Sequence, residues 1–64
     1  MREHEQRVVT ERDELADKSS KLSGFMTGKI YDDLPYEDRK LLEAQNSTMQ
    51  SYVTILNMRI SRFI

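Results

Sequence analysis

The chain has 64 residues, with 10 Lys and Arg, 11 Asp and Glu, one His, no Cys and a formal net charge of −1. This length allows one domain, predicted over residues 1–64, and the missing cysteines exclude disulfides and thiolate metal sites. The basic residues are dispersed among acids, which disfavours binding to duplex nucleic acid. Because there is no long apolar run and no signal-peptide core, we expect a cytoplasmic protein without a membrane partner.

A first helix is predicted over about residues 2–24. Its stripe follows spacings of three and four residues: Val8, Glu11, Leu15, Lys18, Leu22 and Phe25. Two of these six residues, Glu11 and Lys18, are charged, so the stripe is narrow and the helix is only weakly amphipathic. We expect Gly24 or Gly28 to end it in the left-handed conformation that glycine accepts readily.

A turn is predicted over about residues 25–34; it contains Gly28 and directly follows Gly24, and a short extra helical turn near this connection fits the pattern. A second helix is predicted over about residues 35–62, with Pro35 in its first turn and Asp33, rather than Asp32, as the N-cap. Its main stripe consists of Leu42, Gln45, Met49, Tyr52, Leu56, Arg59 and Phe63, and a neighbouring row widens the apolar face: Leu41, Val53, Ile60 and Ile64.

Two helices around one short connection predict an all-α fold, an antiparallel helical hairpin. The position of the turn places Val8 level with Leu56, Glu11 with Tyr52, and Lys18 with Gln45. This register predicts polar layers alternating with apolar layers, an arrangement that fixes register and oligomeric state at some cost in stability.

The second helix contains a long uncharged segment, since no charged residue occurs from Ala44 to Met58. An exposed helix face normally carries charges, and their depletion is typical of surfaces buried between subunits. We therefore predict self-association into a symmetric homo-oligomer. A neutral, solvated helix face is the simpler alternative.

No pattern indicates catalysis or a bound cofactor. Neighbouring carboxylates such as Asp32 and Asp33 point in different directions on a helix and do not form an acid–base pair. His4 lies near the chain terminus without an apparent nucleophile or a second His for a metal site. We therefore expect a non-enzymatic protein with no catalytic residues, metal site or cofactor.

The residue types on the second helix suit a small phosphorylated ligand. Tyr52 can stack on a base, Asn57 and Thr54 can form hydrogen bonds with it, and Arg59 can neutralise phosphate, aided by Lys18 or Arg7. The alternative is structural: Tyr52 would belong to the core and Arg59 would form a salt bridge between the helices.

The order and spacing of these helical motifs resemble a family of small phage and prophage proteins that carries the name of a crAss-like phage gene product. The similar motifs include Arg7-Val8-Val9, Lys21-Leu22 and Leu34-Pro35, and the resemblance extends from Arg7 to Phe63. It implies a phage origin, a small helical fold and a location in the host cytoplasm.

In size and architecture the chain is also similar to phage sponge proteins that sequester cyclic-nucleotide immune signals between subunits. The leading hypothesis is therefore an anti-defence protein that sequesters a cyclic oligonucleotide or related nucleotide. The alternative is a protein-binding module that inhibits a host defence protein through its uncharged helix face.

Overall fold

The computed structural model describes residues 1–63, which form three helices and no strand. These helices are α1 (Glu3–Phe25), α2 (Lys29–Asp32) and α3 (Tyr36–Ile60). The two long helices, α1 and α3, pack against each other along a rod of 46 × 14 × 13 Å. The predicted all-α hairpin is confirmed, and α2 is the short extra turn near the connection. Within residues 1–63, no helix is long and apolar enough to cross a membrane.

The end of α1 differs from the prediction, because neither glycine adopts a positive φ. The helix ends at Phe25, and Met26 caps it in a right-handed conformation. The Thr27 hydroxyl donates a hydrogen bond to the carbonyl of Gly24 at 2.8 Å. Gly28 has an extended backbone and precedes α2 as its N-cap. The three residues between α1 and α2 make the connection without a left-handed backbone conformation.

The N-cap prediction for the second long helix is wrong. Pro35, with an extended backbone, precedes α3, so its missing N–H leaves no helical hydrogen bond unmade. Asp33 instead caps the end of α2, where its backbone N–H donates to the carbonyl of Lys29 at 3.0 Å. Asp33 therefore belongs to the end of α2 and cannot also cap the start of α3.

The apolar core is small and follows the seam between the long helices. Leu56 is completely buried, and Val8 and Tyr31 are nearly so. The predicted widening of the apolar face does not include Leu41, which is 68% exposed, whereas Val53 and Ile60 are half-buried. Ile64 lies outside the described residues.

Two polar residues at the seam differ from those predicted. Ser19 and Asn46 are buried, whereas their neighbours Lys18 and Gln45 are exposed. At 100° per residue, Ser19 lies within about 20° of Val8 around α1, whereas Lys18 lies about 80° away from Val8. A small hydroxyl and an amide can be buried once they are hydrogen-bonded, whereas an ammonium group favours water.

Candidate functional site

A buried polar cluster joins α1 and α3 near the middle of the rod. The Ser19 hydroxyl donates to Asn46 Oδ1 at 2.9 Å, and Asn46 Nδ2 donates to Ser23 Oγ at 2.9 Å. Both polar ends of the Asn46 amide are therefore satisfied in a site that is only 9% exposed. This cluster is one polar layer of the kind predicted from the sequence, although different residues form it.

A shallow groove of about 360 Å³ lies beside this cluster. It is lined by Ala16, Ser19, Ser20, Ser23, Gln50 and Val53. The lining is small and uncharged, so the groove can contact a neutral surface but offers no charged group to an anion.

A second polar contact lies on one side of the seam, where Tyr52 of α3 donates its hydroxyl proton to Glu11 Oε2 of α1. The predicted level pairing of these two residues is confirmed. The pKa of Tyr52 is raised from 10.0, chiefly because the hydrogen bond to Glu11 favours the protonated hydroxyl, with desolvation and the Glu11 charge adding to it. Tyr52 remains 41% exposed, so it is not a core residue.

Basic side chains occur on the same side of the hairpin as Tyr52. Arg59 follows Tyr52 by two helical turns and is close enough to oppose the rise in the pKa of Tyr52. Lys18 follows Glu11 by the same interval, and Arg7 precedes Glu11 by one turn. Arg7 forms a 2.8 Å salt bridge with Glu3, both side chains being exposed. Among residues 1–63, Arg59 forms no salt bridge between the helices.

The other two predicted ligand residues point away from the side of α3 that carries Tyr52. Asn57 Oδ1 accepts a 2.7 Å hydrogen bond from Arg12 Nη1. Arg12 follows Glu11 directly in α1, so their side chains point about 100° apart. The Thr54 hydroxyl donates to the Gln50 carbonyl one turn earlier, at 3.1 Å. Within one chain, Tyr52 therefore lies on the same side as the basic residues, whereas Asn57 and Thr54 point in other directions.

Sequence reasoning did not identify a cleft at the open end of the hairpin. It measures about 550 Å³ and is lined by Met1, Arg2, Glu5 and Arg62. Glu5 Oε1 there accepts the backbone N–H of Arg2 at 3.0 Å. The sequence signal was the pairing of basic residues near the two ends of the chain, which only the hairpin topology brings together.

These features define a small helical hairpin protein with an exposed tyrosine and basic groups beside the uncharged stretch of α3. The chain belongs to the Sequestin family, whose model matches residues 2–62. No curated protein and no solved structure matches it. The family name indicates a sequestering function, in line with the sponge class predicted from the sequence.

Proposed function

We propose that this protein is a phage-encoded anti-defence protein that sequesters a cyclic oligonucleotide or related nucleotide immune signal in pockets between subunits. The observation that carries the proposal is the exposed Tyr52 in the uncharged stretch of α3, two turns before Arg59. An aromatic face can stack on any base, and an arginine can bind phosphate through two hydrogen bonds. Membership of the Sequestin family supports the sequestering role.

The Tyr52 face supplies the stacking and phosphate groups in this proposal. Tyr52 stacks on a base, Arg59 neutralises phosphate, and Lys18 and Arg7 contribute further positive charge. The Glu11 carboxylate holds the Tyr52 hydroxyl, so the ring orientation is set before the ligand arrives. Preorganisation of this kind lowers the entropy cost of binding.

Asn57 and Thr54 have a different part in the proposal, because one chain separates them from Tyr52. They form hydrogen bonds with base edges from a second subunit that covers the ligand. In the free chain, Asn57 already accepts a hydrogen bond from Arg12, which ligand binding replaces. Binding is non-enzymatic and uses no cofactor or metal.

Isothermal titration calorimetry against cyclic di- and trinucleotides, with linear nucleotides for comparison, tests this function. We expect one cyclic ligand to bind, and Tyr52→Ala to weaken its binding by about 10- to 100-fold, the range expected for loss of one base stack. Tyr36→Ala is the matched control, because Tyr36 is exposed on the same helix outside the proposed site. The absence of binding across the whole panel would overturn the proposal.

A further inference from the structure

The outer face of α3 contains a second heptad stripe, which the hairpin leaves uncovered. The stripe follows spacings of three and four residues and is exposed throughout: Leu41, Ala44, Thr48, Ser51, Ile55 and Met58. Its large members are 68%, 55% and 62% exposed at Leu41, Ile55 and Met58, respectively. Spacings of three and four residues line these uncharged side chains up along one seam, with apolar residues towards both ends, and such a seam can pack against another helix.

The elongated chain exposes more surface than a compact monomer of its mass, which leaves area for a partner. Its accessible surface is 5021 Å², whereas a compact monomer of this mass exposes about 4,300 Å². The excess is close to the roughly 800 Å² that each partner buries in a standard interface.

We infer that the outer stripe of α3 packs antiparallel against the same stripe of a second copy, forming a twofold dimer. Side-chain size supports this register, which places Leu41 beside the partner's Met58 and Ala44 beside the partner's Ile55. Thr48 then lies beside the partner's Ser51 at the centre. Each layer joins a large residue with a smaller or flexible one, or two small ones, as interdigitated packing requires.

Charge complementarity fixes the direction of this dimer. The same register places Glu37, in the first turn of α3, beside the partner's Arg62, in the turn after α3. Along one edge, Asp38 lies beside the partner's Arg59, a contact that the phosphate of a bound ligand would replace. Within residues 1–63, Glu37, Asp38, Arg59 and Arg62 form no salt bridges. A parallel dimer would instead place each charge beside its own copy, which is unfavourable.

The dimer also adds a group to the proposed ligand site at Tyr52, while Thr54 lies on the other edge of the stripe, and this part of the inference rests on the proposed function. Tyr52 lies along the edge of the outer stripe, where the partner's Gln45 comes beside it. The partner therefore adds an amide, with a donor and an acceptor, next to the stacking ring.

Disulfide trapping tests the register, because the natural chain has no Cys. In a single chain, positions 41 and 58 are about 25 Å apart along α3, at 1.5 Å per residue, too far for a disulfide. We expect the Leu41→Cys/Met58→Cys variant to form a covalent dimer on mild oxidation. Leu41→Cys and Met58→Cys alone are the matched controls and should remain uncrosslinked. Cross-linking of either single variant as readily as the double variant would overturn the antiparallel register.

Light scattering and charge reversal provide a second measurement with the cysteine-free chain. We expect a dimeric mass, or a multiple of it, that Ile55→Asp lowers to that of a monomer. Glu37→Arg or Arg62→Glu should each weaken dimerisation by about 5- to 30-fold, and the double variant should recover most of the loss. A monomeric mass at high protein concentration would overturn the inference. The same holds if the stripe binds a different protein but not a second copy of this chain. Ligand calorimetry is read separately, so a nucleotide-binding monomer would refute the dimer and leave sequestration standing.

Discussion

Replacing Asn46 with Ala tests whether the buried polar cluster stabilises the hairpin. The substitution removes two hydrogen bonds of 2.9 Å, to Ser19 and to Ser23, from a site that is 9% exposed. Each is worth about 1 kcal/mol, and the higher helix propensity of Ala restores about 0.5 kcal/mol. The Ser hydroxyls can bond to carbonyls one turn earlier in α1, which limits the further penalty. We therefore expect a loss of about 1.5 kcal/mol.

Urea unfolding followed by circular dichroism at 222 nm measures this loss. A domain of this size has a total stability of about 3–10 kcal/mol, so the expected shift in midpoint is large. Protein concentration must be held constant, because self-association would contribute to apparent stability. Ser20→Ala is the matched control, since Ser20 is exposed beside the cluster and should change stability by less than about 0.5 kcal/mol. An equally small effect of Asn46→Ala would refute the reasoning.

Three further predictions concern the core and the Tyr52 face. Leu56→Ala should lower the unfolding free energy by about 3 kcal/mol, measured by thermal unfolding, because Leu56 is fully buried; a loss below about 1 kcal/mol would contradict the packing. Tyr52 should ionise above pH 10 in an ultraviolet titration compared with Tyr52→Phe, and Glu11→Gln should lower its pKa. Because folding raises this pKa, the stabilisation is present below pH 10 and is lost as the pH rises through the folded-state pKa; a Tyr52 titration unaffected by Glu11→Gln would exclude the contact. Glu11→Gln should also tighten binding of an anionic ligand several-fold in calorimetry by removing a like charge, since the Gln amide oxygen can still accept the Tyr52 hydroxyl; weaker binding would indicate that orientation of Tyr52 by the carboxylate outweighs the repulsion.

The helical periodicity predicted the main architecture because the largest apolar residues dominate burial. Val8 and Leu56 follow the predicted stripes, and the turn position set the level pairing of Glu11 with Tyr52. Periodicity could not distinguish Ser19 from Lys18 at the seam, because it ranks hydrophobicity and not the ability of a polar group to find a buried partner. The hydrogen bond between Ser19 and Asn46 decides that choice, and only three-dimensional proximity reveals it.

The ends of the helices were less predictable for a different reason. Asp is a favoured helix N-cap and Gly a favoured left-handed C-cap. Because the short α2 forms in the connection, Gly28 instead precedes α2, Asp33 ends it, and neither glycine is left-handed. The candidate ligand residues were chosen by chemical type, which carries no information about the side of the hairpin. A five-residue interval rotates Asn57 well away from Tyr52, so the same helix presents them in different directions.

The distribution of burial along the rod has a consequence for local opening. The covalent connection restrains one end of the hairpin, whereas α1 and α3 are free to fray at the other. Leu56, the most deeply buried side chain, lies one turn from the end of α3, in the half where fraying has to be opposed. Amide hydrogen exchange should therefore be slow around Leu56 as well as near the connection, so that the hairpin opens as one cooperative unit rather than unzipping from its free end.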